Sequence, residues 1–308
     1  MIDILLALHN GADYLEEFVA SLSRQTLRDF QLVVFDDASR DRSAELLQKL
    51  CSRYGIAIAA LASSPTSRGV AGAFGEALAL SAGEYVCLAD QDDRWHPEKL
   101  EMNLTRMHET EARNGKAAPL LVHSDLRVCD RDMNVLHPSF FAYQRISPGR
   151  HALKDLLVQN SVTGCTVMMN RALADSIPCF PEGTIFHDWF IALVASAFGS
   201  IECISRPLVD YRQHGNNCLG AVKYDGPLLI RTMRSGRRML HERLLRAQRQ
   251  ARDFAECYRL RLSPEQYELA LCWAELSGQS YPVRLLLAVR NRFVKNTLPR
   301  TLGMWWAL

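Results

Sequence analysis

Three carboxylates fall within four residues at Asp90-Gln91-Asp92-Asp93, directly after the apolar run Tyr85-Val86-Cys87-Leu88-Ala89. Like charges this close repel one another, and a strand end does not need them for stability. A hard divalent cation, Mg²⁺ or Mn²⁺, resolves the repulsion, because it takes oxygen ligands and bridges carboxylates to phosphates. The plainer alternative is a solvated acidic turn, with Asp93 assisting a helix that begins at Pro97. A second acidic strand end stands at Asp36-Asp37-Ala38-Ser39-Arg40-Asp41. Its carboxylates either cap the next helix or accept hydrogen bonds from a nucleobase N–H or ribose hydroxyls. His187-Asp188-Trp189 opens an apolar helix. There Asp188 is either an acidic first-turn residue favoured by the helix dipole or a general base. Finally, Tyr211-Arg212-Gln213-His214-Gly215-Asn216-Asn217 packs several donors into one turn. His214 would complete a metal site there, or join Arg212 in neutralising a diphosphate leaving group, or simply be solvated.

The elements that must position these groups alternate in the first ninety residues. Residues 2–8, 32–35, 56–62 and 85–89 are short, nearly continuous apolar runs, the signature of strands buried on both faces. Between them lie helical patterns. Asp13 is placed to cap a helix carrying Leu15, Phe18, Val19 and Leu22 on one face, and further helices are expected at 41–54 and 69–81. This rhythm predicts an α/β fold with a mostly parallel central sheet covered by helices. In such sheets ligands bind beyond the carboxyl ends of the strands, where His9 and Asn10, Asp36 and Asp37, and the 90–93 cluster all fall. Later segments are less regular: strands at 120–123 and 127–129, a loop over 137–148, a strand at 162–169 broken by Gly164, a helix at 187–197 and a strand at 208–212.

The composition is that of an ordinary globular protein: 48% hydrophobic, 23% charged and a net charge of +2 over 308 residues. No apolar run approaches the roughly 18 residues of a membrane span. The N-terminus lacks the basic leader and cleavage site of a signal peptide. Nine cysteines without a Cys-x-x-Cys pair fit reduced, mostly buried thiols in a cytoplasmic protein. The charge is uneven: residues 1–222 carry 20 basic and 27 acidic groups, residues 223–308 carry 16 and 7. A boundary is therefore expected near residue 222, after the Gly/Asn-rich stretch 214–220, with a basic, mainly helical segment beyond it.

Taken together, these motifs resemble family 2 glycosyltransferases of GT-A fold over roughly residues 1–220. The resemblance rests on His9-Asn10-Gly11 after the first strand, Ser23-Arg24-Gln25-Thr26, the 33–41 segment, Gly83-Glu84-Tyr85 leading into Asp90-Gln91-Asp92-Asp93, and Pro97-x-Lys99-Leu100. Within the family, the Asp-Gln-Asp-Asp-x-Trp form and the Tyr-Arg-Gln-His-Gly-Asn-Asn segment look most like bacterial rhamnosyltransferase-type enzymes of surface-polysaccharide assembly. The resemblance implies that Leu8, His9 and Asn10 line the base pocket and that Asp37 contacts a pyrimidine. It maps the D-x-D motif onto Asp90-Gln91-Asp92, with Asp92 on the metal and Asp90 near the ribose or a metal-bound water. Asp188 matches the catalytic base, although His187 replaces the usual acid before it. Gly164 and Cys165 match an acceptor-side loop, with Trp189 beside the base. The implied cofactor is Mg²⁺ or Mn²⁺. The implied partners are a dTDP- or UDP-linked sugar and a glycan or lipid-linked acceptor.

Other classes fit less well. A glycosidase pair made of Asp188 and one of the 90–93 aspartates leaves the Asp36-Asp37 strand end unexplained. A dinucleotide-dependent oxidoreductase would need G-x-G-x-x-G where Asn10-Gly11 stands. A sugar nucleotidyltransferase, the nearest alternative, usually carries a Gly-rich basic loop after the first strand. In the C-terminal segment, Leu240, Leu244, Ala247, Ala251, Phe254 and Tyr258 form a helical seam, surrounded by Arg231, Arg234, Arg237, Arg238, Arg243, Arg246, Arg249 and Arg252. The seam is expected either to pack on the catalytic unit with a solvated basic face or to rest on an anionic membrane, with Trp305, Trp306 and Leu308 inserted. No nucleic-acid motif accompanies the charge.

Overall fold

The computed structural model describes residues 1–214 and 236–308. The expected boundary near 222, the 215–220 stretch, Cys218, Arg231 and Arg234 lie outside the described residues. The first half runs β1 (Ile2–Leu8), α1 (Leu15–Ser23), β2 (Phe30–Asp37), α2 (Ser43–Tyr54), β3 (Ile58–Ser64), α3 (Gly69–Leu80) and β4 (Tyr85–Ala89). There follow β5 (Arg94–Trp95), α4 (Lys99–Asn114), β6 (Leu120–Cys129), β7 (Val135–His137), α5 (Phe140–Gln144), α6 (Leu153–Val158), β8 (Met168–Asn170), α7 (Arg171–Asp175), α8 (His187–Phe198) and β9 (Ser200–Arg212). Helices α9 (Gly236–Cys257), α10 (Pro264–Ala274), α11 (Tyr281–Arg290) and α12 (Leu298–Ala307) complete the described chain.

One sheet carries the strands in the order β3-β2-β1-β4-β8-β6-β9-β5, with β7 on β6. Its β3-β2-β1-β4 half is parallel, as the alternating rhythm requires. β8 then runs antiparallel to both β4 and β6 and joins a second parallel pair, β6 and β9. Successive residues of a strand point to opposite faces, so the apolar runs feed two cores. Leu5, Val33, Phe35, Val86 and Leu88 pack against α3 and α8, whereas Ile4, Leu6, Leu32, Val34 and Cys87 pack against α1, α2 and α4.

The C-terminal seam closes the first of these cores. Leu244, Ala247, Ala251, Phe254 and Tyr258 are buried, Leu240 packs on them, and Trp273, Phe293, Met304 and Leu308 belong to the same cluster as α8. The C-terminal helices are thus a wall of this first core. Leu308 is fully buried and the Trp305 indole N–H donates to the Phe293 carbonyl (3.2 Å), which corrects the expectation that both insert into a membrane. Of that trio, only Trp306 faces outward.

Several local expectations change. Tyr14, not Asp13, precedes α1, and no side-chain cap is made there. The two strands expected at 120–123 and 127–129 are one, because the polar residues between them find partners inside. His123 Nε2 lies 3.0 Å from His151 Nε2, and Asp125 accepts from Ser139 and from the Phe140 and Phe141 amides. The expected loop at 137–148 contains α5, capped by Ser139. The strand expected at 162–169 is instead a 3-10 turn at Gly164–Thr166 followed by the short β8, since the amides of Thr166 and Val167 turn back to the Thr163 and Gly164 carbonyls. Of the eight described cysteines, none paired, four are buried and Cys179 and Cys257 are exposed.

Candidate active site

A cleft of about 790 Å³ opens beyond the carboxyl ends of β1, β2 and β4. It gathers Leu8, His9, Asn10, Asp37, Asp90, Gln91, Asp92, Gly164, Asp188, Trp189 and His214 from segments scattered over two thirds of the chain. Each is held by identifiable contacts. Gln91 clamps the end of β1, its amide accepting from His9 N (2.9 Å) and donating to the His9 carbonyl (2.8 Å). The His9 ring donates from Nδ1 to the Asp37 carbonyl (2.6 Å) and accepts at Nε2 from Asn10 (2.9 Å). Asn10 in turn accepts from the Arg40 amide. Asp37 does not cap the next helix; Arg42 precedes α2 without a side-chain cap, and Asp41 accepts from Ser43 N (3.1 Å) at the first residue of that helix. The Asp37 carboxylate ties down the start of α3 instead, accepting from Ser67 Oγ and from the amides of Arg68 and Gly69. A carboxylate has about four acceptor sites, so these three bonds leave one on a residue that lines the cleft.

The 90–93 segment splits by side. Asp90 and Asp92 face the cleft, whereas Asp93 is fully buried beneath it and accepts from Arg212 N (3.2 Å). Since α4 begins only at Lys99, the reading of Asp93 as a solvated helix-start residue does not hold. Burial, reinforced by the neighbouring Asp92 and Asp90, pushes the Asp93 carboxyl well above the usual carboxylate range. Asp90 is raised to about 7, first by burial and then by the charges of Asp92 and Asp188. The loop is braced from outside. Gln25 donates to the His96 carbonyl (2.8 Å) and accepts from Leu100 N (3.1 Å), and Thr26 N reaches the Pro97 carbonyl (2.9 Å), so two of the sequence motifs clasp each other. Buried Asp210 binds Arg94, His96 and Arg127, which hold its carboxyl well below the usual range despite burial.

His214 Nε2 lies 2.7 Å from Asp92 Oδ2, and its ring stacks on Tyr14 at 4.9 Å. Asp92 and His214 bring a carboxylate and an imidazole together, and the charge conflict at Asp90 is one that a hard cation would relieve; among the described residues, the group whose possible ligand atoms lie within 4.8 Å of one another is Asp90, Asp93 and Cys165. The residues present fit Mg²⁺ or Mn²⁺. Two sequence expectations are corrected here. Arg212 is only 5% exposed; its guanidinium is committed to the carbonyls of Asp92 (2.9 Å) and Arg131 (2.5 Å) and to the Glu17 carboxylate, so it fixes the Asp92 backbone rather than meeting a diphosphate. Cys165 is 1% exposed and its thiol bonds to Asp93, placing it under the acidic loop rather than on the acceptor side.

Asp188 sits in the first turn of α8, yet its carboxylate points to partners outside the helix. Gly164 N donates to Oδ2 (2.9 Å) and Asn160 Nδ2 to Oδ1 (3.2 Å). Burial raises its pKa to about 6, against the opposing effect of these hydrogen bonds. The preceding His187 behaves differently: it stacks on Phe74 at 3.9 Å, and burial lowers its pKa to about 3, so it stays neutral. Trp189 lines the cleft with its indole N–H bonded to the Leu156 carbonyl (2.6 Å). Gly164 is required by close approach, since a Cβ there would lie 3.0 Å from His187 Nε2 and 3.5 Å from Asp188 Cβ. Gly164→Ala is expected to cost about 1–3 kcal/mol of stability by overpacking and to lower turnover by displacing Asp188, which thermal melting and steady-state kinetics will show.

Sequence reasoning missed Asn160 and Tyr14. Neither carries a local signal: Asn160 is a lone amide after α6, and Tyr14 reads as the residue before a helix.

The fold and this site together define a glycosyltransferase of GT-A fold. The chain belongs to Glycosyl transferase family 2, whose profile matches residues 3–175, more than half of its length. It is 26% identical over 220 residues (68% of each chain) to the amylovoran biosynthesis glycosyltransferase AmsB of Erwinia amylovora. It is 23% identical over 227 residues (70% of this chain, 74% of the relative) to the dTDP-rhamnosyl transferase RfbG of Shigella flexneri. Among solved structures, S. aureus TarS 1-349 in complex with UDP-GlcNAc aligns with a TM-score of 0.57 at 16% identity, covering 99% of this chain and 89% of that one. The mannosyltransferase PcManGT from Pyrobaculum calidifontis, in complex with GDP-Man and Mn²⁺, aligns at 0.53 and 19% identity, covering 99% and 84%. At these identities the structural likeness speaks to the fold.

Proposed function

We propose that this glycosyltransferase moves a sugar, by a single inverting displacement, from a dTDP- or UDP-linked donor to a hydroxyl of a glycan or lipid-linked acceptor in surface-polysaccharide assembly. The observation that carries the reading is Asp188: a cleft carboxylate with a pKa of about 6, held in place by Gly164 and Asn160 and close enough to Asp90 to raise that residue's pKa. A base poised just below neutral pH is deprotonated at working pH yet more basic than an exposed carboxylate.

Roles follow from placement. Leu8, His9 and Asn10 form the floor of the base pocket, and the free acceptor site of Asp37 takes a pyrimidine N–H. Asp90 and Gln91 face the ribose and diphosphate. Asp92 and His214 would hold the Mg²⁺ or Mn²⁺. When bound, that ion supplies positive charge to the departing diphosphate. Asp188 takes the proton of the acceptor hydroxyl as its oxygen attacks the anomeric carbon from the face opposite the leaving group. Trp189 and Gly164 shape the acceptor side, and Phe74 and Val70 add apolar side chains to the cleft wall.

Rhamnose as the transferred sugar is supported by the motif resemblance and by the dTDP-rhamnosyl transferase among the relatives. A donor screen across dTDP- and UDP-sugars, reading released nucleoside diphosphate with and without acceptor, tests the proposal. The expected result is acceptor-dependent diphosphate release that is highest with one dTDP- or UDP-sugar. Release of pyrophosphate from a nucleoside triphosphate and a sugar phosphate would instead establish the nucleotidyltransferase alternative.

A further inference from the structure

The outward face of a helix at a protein surface is normally polar; two consecutive helices here break that rule. In α12, the buried side is Thr301, Met304 and Ala307, and the opposite side is Leu298, Leu302 and Trp306, spaced four residues apart and 69%, 53% and 47% exposed. In α11, Ala288 is buried, while Val283, Leu286 and Val289 are exposed on the other side. A single exposed leucine is ordinary, but apolar stripes on neighbouring helices mark an interaction surface.

Charge identifies what covers it. After Glu275 the sequence contains five basic residues and not one acidic residue. Arg290 and Arg292, at the end of α11 and just beyond it, are exposed beside the stripe, and Arg237 and Arg238 are exposed at the start of α9. Arg238 is paired with the exposed Glu242 (3.1 Å), which leaves Arg237, Arg290 and Arg292 as the excess positive charge; outward leucines and a tryptophan beside such a rim have the composition of an interfacial helix on an anionic bilayer.

The surface is also tied to the cleft. The link between α11 and α12 is hydrogen-bonded to the loops that form the acceptor-side rim. Asn296 N donates to Gln159 Oε1 (3.1 Å), Ser147 N donates to Asn296 Oδ1 (3.2 Å), and the Arg150 guanidinium donates to the carbonyls of Lys295 (2.9 Å) and Val294 (3.0 Å). Gln159 lines the cleft, and its neighbour Asn160 holds Asp188.

We propose that the outward faces of α11 and α12 form a docking surface for an anionic lipid bilayer, which places the acceptor rim of the cleft beside the membrane. The docking rests on the exposed faces themselves. Its consequence, that the acceptor is lipid-linked, rests on the transferase reading above.

Co-sedimentation of the full chain with vesicles tests docking without requiring turnover. In low salt, partitioning onto phosphatidylglycerol–phosphatidylcholine vesicles is expected to exceed that onto phosphatidylcholine alone by about tenfold and to fall as salt rises. The triple variant Leu298→Ser, Leu302→Ser, Trp306→Ser should lose about tenfold of that binding, keep the parent melting temperature, and release diphosphate with a water-soluble acceptor at the parent rate. Arg290→Glu with Arg292→Glu should weaken binding to anionic vesicles while leaving the apolar stripe intact. The proposal is overturned if the parent binds neither vesicle, or if the folded triple variant binds as well as the parent. It is equally overturned if the parent is a dimer that the triple variant turns into a monomer while neither binds lipid, since the face would then belong to a second copy. A parent chain that binds neither vesicle yet still transfers sugar would sink the docking surface and leave the transferase reading standing.

Discussion

Asp188→Asn should lower kcat by about 10²–10⁴-fold, the usual contribution of a general base, while the donor KM stays near the wild-type value. The amide is nearly isosteric and its oxygen can still accept from Gly164 N, so the turn at Gly164–Thr166 has no reason to move. What disappears is the capacity to take a proton. The pH profile provides a second signature. Burial favours the neutral carboxyl and raises its pKa to about 6, and only the ionised form acts as a base. Wild-type kcat should therefore fall about tenfold per pH unit below 6 and level off above it, and the variant should lack that limb. If Asp188 merely complements the α8 dipole, the substitution will cost about 0.3–1 kcal/mol of stability and turnover will barely change.

Asp92→Ala is expected to reduce transfer by at least about 10²–10³-fold, the scale of losing one electrostatic stabiliser of a developing charge, and to abolish Mn²⁺-dependent nucleotide binding in calorimetry. The melting temperature should hold or rise. Asp92 contacts His214 at the cleft surface and is one of the charges that raise Asp90 and Asp93, so its removal relieves repulsion without opening the core. Arg212 will still be anchored, because it binds the Asp92 carbonyl rather than its side chain. Full activity of this variant, or of the wild type in EDTA, contradicts the assignment of Asp92 and His214 as the metal-holding pair.

The parallel half of the sheet was legible because β1, β2 and β4 are buried on both faces and read as apolar runs; β4 falls on the expected residues 85–89, whereas the partly exposed edge strand β3 starts and ends two residues beyond the expected 56–62. Legibility failed where a strand interior is polar. His123, Ser124 and Asp125 interrupt the pattern of β6, and only their partners, His151 and Ser139, distant in sequence, make burial possible. It failed again at 162–169, where apolar residues are buried by a turn that serves Asp188 rather than by strand pairing. In the cleft, the strand-end positions were visible as residue types following apolar runs. The direction of a single side chain was not. Arg212 sits one residue from Tyr211, which lines the cleft, but its guanidinium turns back toward Glu17 and Asp92. Cys165 likewise turns down to Asp93 while the adjoining Gly164 faces the cleft. The C-terminal tryptophans show the same limit: helical period alone sends Trp306 outward and Leu308 inward, once the start of α12 is known.

The central claim is a one-step displacement assisted by Asp188, and the anomeric configuration of the product tests it most directly. Real-time proton NMR of the reaction, with the preferred donor and acceptor, reads the anomeric proton of the transferred sugar as it leaves the nucleotide. The account predicts a first-formed product of opposite anomeric configuration to the donor, with one nucleoside diphosphate released per acceptor glycosylated. A product that retains the donor configuration would contradict it, because retention requires a second displacement or attack from the leaving-group face, and neither gives Asp188 its role.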